Sequence, residues 1–368
     1  MSAVGQTLLN RPFPKNARRR VLLAYQDDVL AYPQFAPFLR NAESFAAHGI
    51  HFRSIPYAKL STCNLPDSLD AVFLQSTYSP AEGEVEGLLR TLKEGRPHLE
   101  IAYFDWFAPA DLRFAEKVDQ WVSHYVKKSL LRERSAYLQK VAGHSNLSDY
   151  FSSRFGTENP PPTWTVPSSI LPKLCVGPSF STSPDLVRLF QRRHLPAEKP
   201  RPIDVHARIA TKGTPWYSAM RSKAAASIEC HFSDLIVASK GIISKSKYMR
   251  ELQHSKVCFS PFGYGEVCWR DFEAVAVGAV LVKPDMSHLE TDPDIYLPFD
   301  TYIPVRWDLA DLNERVRAAL ADPIGMRRMA VRAFEVVRDH LRGPAMVDLA
   351  MRCSGHADQH SVAPNRDC

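Results

Sequence analysis

Residues 259–284 hold the densest run of chemically useful side chains in this 368-residue chain: Phe259-Ser-Pro-Phe, then Gly263, Gly265, Glu266, Arg270, Glu273 and Gly278, then Ala-Val-Leu-Val-Lys-Pro284. Read as strand, glycine-bearing loop, helix and strand, this is a βαβ unit whose helix starts at the carboxyl end of a parallel sheet, where open α/β sheets bind ligands. Free N–H groups and the dipole at such a helix start favour phosphate, and Gly263 and Gly265 would let it approach the backbone. With the helix drawn over 266–277, Glu266, Arg270 and Glu273 recur at i, i+4 and i+7 and share one face. That stripe suits a pyrophosphate on Arg270 and a ribose diol on Glu273 if it lines a cleft. On an open surface it is only a ladder of ion pairs.

Further charged candidates stand at predicted strand ends. Arg208 and Lys212 follow a strand over 203–209, a place from which cations reach a diphosphate leaving group. Asp27 and Asp28 follow the first strand and Asp105 the fourth, at the site-facing edge of a parallel sheet. Asp28 and Asp105 are the candidate proton acceptors for a hydroxyl. Asp105 ranks first because Phe104, Trp106 and Phe107 offer a surface for a sugar ring. Each is equally a turn-capping aspartate. Lys127-Lys128 after the fifth strand either binds an acidic group or ends a strand.

Charge is unevenly spread along the chain. Residues 186–256 hold 14 Lys/Arg against 5 Asp/Glu, whereas 284–324 hold nine acids against three arginines, within a formal net charge of +6. The first region suits an anion. It lacks interleaved aromatic stacking platforms, so nucleic acid is not the expected partner. Seven scattered cysteines without a CxxC pair argue for reduced thiols rather than a disulfide framework or a zinc site. Asp27-Asp28 is no metal-binding triplet, and His194, His206, His356 and His360 lack ligand spacing, so no metal is expected. Without a secretory h-region or an apolar span, the chain reads as a soluble cytoplasmic protein.

These residues need a scaffold, and the alternation of strand and helix patterns supplies one. Strands over 20–25, 51–55, 71–75, 99–104 and 121–126 alternate with helices over 36–48 and 81–93, a Rossmann-like half. Seven prolines between Gly156 and Pro184 mark a connection. A second alternation follows, with strands over 203–209, 235–237, 256–261 and 279–283, and helices over 215–229, 244–254, 266–277, 309–321 and 324–341. Ser244 is the expected N-cap of its helix. The fold class expected is α/β, two Rossmann-like domains facing a cleft. The boundaries are 1–165 for an N-terminal acceptor domain, 166–200 for a proline-rich connection, 201–341 for a nucleotide-sugar-binding domain, and 342–368 for a tail.

The run Glu273-Ala-Val-Ala-Val-Gly278 after a glycine-containing loop resembles the donor-binding half of GT-B glycosyltransferases, and Arg270-Asp-Phe-Glu-Ala274 resembles its exostosin-like variant. The resemblance covers about residues 200–340. It implies a metal-independent glycosyltransferase without a cofactor; polysaccharide or glycolipid assembly is the setting expected from the basic patch Arg18-Arg-Arg20 and the basic balance of the chain. Its donor is a nucleotide-sugar, bound through Glu273 to the ribose and Arg270 to the phosphates, and its acceptor a saccharide or glycolipid. Retaining members carry a second glutamate eight positions earlier; Gly265 stands there in this chain, so the resemblance does not extend to retaining stereochemistry. A nucleotide-sugar 2-epimerase of the same fold and a non-enzymatic two-lobed phospho-ligand-binding protein remain as alternatives. The patch Arg18-Arg-Arg20 suggests peripheral contact with an anionic membrane, or else a solvated tail.

Overall fold

The computed structural model describes residues 12–139, 145–159, 162, 164–192, 194–195 and 200–355. Two all-parallel sheets organise them. The first has the order β2-β1-β3-β4-β5-β7, built from β1 (Arg19–Tyr25), β2 (Ile50–Pro56), β3 (Ala71–Leu74), β4 (Glu100–Asp105), β5 (His124–Lys127) and β7 (Leu174–Val176). Its apolar runs alternate between two covered faces, as parallel strands must. Val21, Leu23, Phe73 and Phe104 pack on one side, and Leu22, Ala24, Val72, Leu74 and Tyr103 on the other. The helices around it are α1 (Tyr32–Arg40), α2 (Ala42–Ala47), α3 (Glu84–Glu94) and the short α4 (Ala115–Val118). A single helix was expected over 36–48; the chain instead enters it earlier, with Pro33 in the first turn, and breaks at Asn41.

α5 (Asn146–Phe155) and α6 (Pro184–Phe190) lie on the way to the second sheet, which has the order β13-β11-β10-β8-β9. Its strands are β8 (Ile203–His206), β9 (Val237–Ala238), β10 (Ser255–Phe259), β11 (Val280–Pro284) and β13 (Tyr302–Val305). Its helices are α7 (Pro215–His231), α8 (Lys245–Gln253), α9 (Trp269–Val277), α10 (Leu312–Ala321) and α11 (Pro323–Arg342). Ser244 caps α8 as expected, accepting from the Lys247 amide. The observed class is α/β with two Rossmann-like domains facing a cleft. No described helix is long and apolar enough to cross a membrane.

Two expected boundaries shift. β7 lies inside the stretch read as a connection, yet it is the last strand of the first sheet. Within the stretch read as a tail, α12 (Ala345–Cys353) returns to the first domain and buries Met346, Leu349 and Ala350 against the face holding Phe73, Phe104 and Val126. Proline content and terminal position are local signals, and both were outweighed by apolar burial. The basic patch is also partly committed: Arg19 donates to the Gly355 carbonyl at 3.0 Å and Arg20 pairs with Asp70 at 3.4 Å. Six cysteines are described, all free. His356, His360 and Cys368 lie outside the described residues.

The domains meet along one seam. β6 (Ser129–Leu131) pairs antiparallel with β12 (Leu289–Thr291), a two-stranded ribbon shared between them. A Cβ on Gly265 would lie 2.0 Å from the Ala108 carbonyl oxygen, so only glycine fits where the second domain's loop meets the first domain's backbone. Beside it Lys128 is buried, donating to the Trp106 carbonyl at 3.0 Å with its ammonium 5.0 Å from the Phe180 ring centre. Burial, then the charge of Lys127, pulls the Lys128 amine down to about 7.

A lysine whose folded pKa lies below its unfolded value sheds its proton first in the folded state. Between about 7 and 10.5 the unfolded chain therefore binds more protons, and stability rises with pH across that window. Lys128→Met should remove this contribution. Its advantage over the wild type in urea unfolding is expected to be largest below pH 7 and to shrink by at most about 1.4 kcal/mol per pH unit above it. An advantage constant over the whole range would show that Lys128 is not the titrating group.

Candidate functional site

A cleft of about 650 Å³ opens at the carboxyl ends of the strands. Val29, from the loop after β1, and Asp185 of α6 form one side; Arg221 of α7, Lys245 and Tyr248 of α8, and Arg270 and Glu273 of α9 form the other. A second hollow of about 420 Å³ near Tyr137 and Trp164 is mainly apolar, and its one acid, Asp111, is held by Arg113 at 2.7 Å. Chemistry is concentrated in the first.

α9 begins three residues later than its sequence pattern suggests. Asp271 accepts from the Cys268 amide at 2.9 Å, making Cys268 the N-cap. Asp271 also accepts from Ser260 at 2.6 Å and Tyr296 at 2.7 Å, and pairs with buried Lys283 at 3.2 Å. This network fixes the helix start, and with it Arg270 in the first turn and Glu273 one turn after the start. Arg270 donates to the Arg208 carbonyl. Glu273, almost buried, accepts from Tyr248 at 2.9 Å and pairs with Lys245, whose own side chain is largely exposed. Arg221 donates to the Ala210 carbonyl at 2.5 Å and the Phe262 carbonyl at 2.6 Å, which holds its guanidinium at the cleft wall. Below them His206 ends β8, buried, with neither ring nitrogen hydrogen-bonded. Burial, reinforced by Arg270, lowers it to about 4, so it stays neutral and adds no charge.

The structure thus brings Arg270 and Glu273 together as expected and separates the others. Glu266 precedes the helix and is sealed at the domain seam, accepting from the Ala110 amide at 3.2 Å. Burial raises its pKa. The Glu266-Arg270-Glu273 helical face is therefore not formed. Gly263 and Gly265 serve loop and seam geometry: the Gly263 amide donates to the Gly265 carbonyl at 3.0 Å, and Gly265 lies against Ala108. Arg208 turns its guanidinium away to Glu251, at 2.7 and 3.0 Å, and to the Gly241 carbonyl at 2.9 Å. It borders a separate groove beside β9. Lys212 is exposed on the loop before α7 and does not line the cleft. Arg221, Lys245 and Tyr248 were missed. The i, i+3 spacing of Lys245 and Tyr248 and the lone cation in the apolar stripe of α7 were the available signals.

The first-ranked base candidate is corrected. Asp105 does end β4, but its carboxylate is wholly buried, paired with Lys127 at 2.8 Å, and accepts from Tyr125 at 2.6 Å and from the Phe107 amide at 2.9 Å. No oxygen faces the cleft wall. Asp28 is exposed beside Val29 and accepts from the Leu30 amide at 2.6 Å, in the turn that starts α1. Among the described residues no group of three or more His, Cys, Asp or Glu is placed to hold a metal ion.

Two facing Rossmann-like domains with a cation-lined cleft at their carboxyl edges are the GT-B type of architecture. No protein-family model and no curated protein sequence matches the chain. Among solved structures it is similar to a glycosyltransferase from Rickettsia africae ESF-5, at 10% identity over 92% of this chain and 99% of that one, TM-score 0.47. It is also similar to TarM, at 10% identity over 81% and 57%, TM-score 0.46. A putative UDP-N-acetylglucosamine 2-epimerase from Listeria monocytogenes gives 9% identity over 93% and 98%, TM-score 0.43. With TM-scores and identities this low, these likenesses assign no activity to this chain.

Asp105→Asn leaves Lys127 charged and buried without its partner, which costs about 3–5 kcal/mol in such settings. A fall of that size in chemical-denaturant stability is the expected outcome. Unchanged stability with a specific loss of turnover would return Asp105 to the role of base.

Proposed function

We propose that the protein is a glycosyltransferase that binds a nucleotide-sugar donor in the cleft of its second domain and transfers the sugar to an acceptor held by the first. The observation carrying this reading is the meeting of Glu273 with Arg270 and Arg221 in one cleft at the carboxyl edge of the sheet. A carboxylate suits the two hydroxyls of a ribose, and guanidiniums suit a diphosphate by bidentate donation. Tyr248 would keep the Glu273 carboxylate oriented, and Lys245, whose side chain is largely exposed, would yield it to the donor and turn to the phosphates. With Asp105 sealed, Asp28 is the first-domain carboxylate proposed to take the acceptor proton, since it is exposed beside a residue that lines the cleft. The acceptor proposed is a saccharide or glycolipid.

Glu273→Ala should weaken nucleoside-diphosphate binding by about tenfold or more, because a hydrogen bond to a charged group is worth roughly 1.5–3 kcal/mol. Calorimetry on the folded variant checks this, and unchanged affinity would sink the donor assignment. Consumption of the nucleotide-sugar without any acceptor would instead favour an epimerase.

The leaving diphosphate is proposed to be stabilised by these cations without a divalent ion. Turnover is then expected to persist in excess EDTA. Loss of activity that magnesium or manganese restores would overturn this.

A further inference from the structure

The loop joining β9 to α8 has the sequence Ser239-Lys-Gly-Ile-Ile-Ser244, and α8 continues with Lys245 and Lys247. From residue 235 to residue 250 the chain carries Lys240, Lys245, Lys247 and Arg250 and no acid. Ile242 stands fully in water (104% of its reference exposure) and Ile236 is 60% exposed. One exposed isoleucine is ordinary on a protein surface; this one stands at the tip of a loop whose flanking charges are all positive, with Ile236 exposed in the same segment. The loop is also held in place. Gly241 takes a left-handed backbone, and the Arg208 guanidinium, clamped by Glu251, donates to the Lys240 and Gly241 carbonyls. Arg208, expected at the phosphate, is used to present this tip.

We infer that this loop docks the second domain on an anionic phospholipid bilayer, Ile242 entering the acyl boundary while Lys240 and Lys247 meet the headgroups. The shape selects the partner. Ile242 is a convex tip rather than a groove, and a fluid interface receives a protruding apolar side chain where a rigid protein surface would need a matching pocket. The charge is complementary to an anionic leaflet, each lysine near such a surface being worth about a fivefold gain in affinity. Two acids compete for these lysines: Glu229 approaches Lys240 at 3.6 Å with both side chains largely exposed, and Glu251, one turn after Lys247 on α8, is already engaged by Arg208 at 2.7 Å. On the opposite lip, Asp27 and Asp28 are exposed acids, so contact is confined to the second domain's side. Ile243 and Lys245 line the cleft itself, so docking places the cleft mouth next to the bilayer. For the acceptor this rests on the proposed glycosyl transfer and selects a lipid-linked saccharide; the docking itself does not depend on that reading.

The test is flotation of the full chain with vesicles of phosphatidylcholine alone and of phosphatidylcholine with phosphatidylglycerol. Binding to the anionic vesicles alone is expected. Ile242→Asp should weaken it tenfold or more, and Lys240→Glu with Lys247→Glu about as strongly, while nucleoside-diphosphate affinity measured in solution stays unchanged. Neither variant touches a residue that lines the cleft or a buried side chain, and thermal melting confirms folding. Failure of the wild type to float, or variants that float as well as the wild type, overturns the docking. Loss of nucleotide binding in the wild type would overturn the donor assignment and leave the docking standing.

Discussion

The approach of the Gly265 backbone to the Ala108 carbonyl sets where the second domain sits on the first. No side chain fits between them, so the two loops meet main chain to main chain. The shared β6–β12 ribbon extends the same seam, and Glu266 is buried there against the Ala110 amide. The cleft lies at the edge of this contact. Its width, and hence the relation of Val29 on one wall to Arg270 and Glu273 on the other, follows from a contact that holds no ligand.

Each domain stiffens its own side of that cleft with a buried aspartate–lysine pair. Asp105 and Lys127 tie the ends of β4 and β5, with Tyr125 and the Phe107 amide completing the carboxylate's bonds. Asp271 and Lys283 tie α9 to β11, with Ser260 and Tyr296 in the same role. A buried pair gains little net stability, because desolvation offsets the attraction. Its effect is geometric: a fully bonded carboxylate has one low-energy arrangement, and the loops that leave those strands inherit it.

The architecture was legible in the sequence because its signals are local and repeated. Apolar runs of strand length alternating with helical patterns need no knowledge of distant contacts, and Arg270 and Glu273 stand one turn apart on a helix read from its own sequence. What was not legible depends on pairing across the chain. Asp105 at a strand end reads as a proton acceptor until Lys127, on the neighbouring strand, is known to neutralise it. Gly263 and Gly265 read as a phosphate cradle because glycine signals close approach without saying what approaches; at Gly265 it is the other domain. Glu266 kept helical register on paper, but Asp271 capped the helix three residues later and left it outside. Arg208 was placed correctly after its strand, and only Glu251, 43 residues away, decides where its guanidinium turns.

α12 gives the first domain a discontinuous sequence. Its sheet is complete by Val176, yet the face holding Phe104 and Val126 is covered by Met346, Leu349 and Ala350, near the far end of the chain. During synthesis the first domain leaves the ribosome with that face covered only in part, by Phe35 and Phe38 of α1 and Phe45 of α2, and must wait for the whole second domain to follow before α12 closes the rest. The domain that emerges first is thus the last to be finished, and chain termination before α12 leaves an intact second domain joined to an unsealed first one.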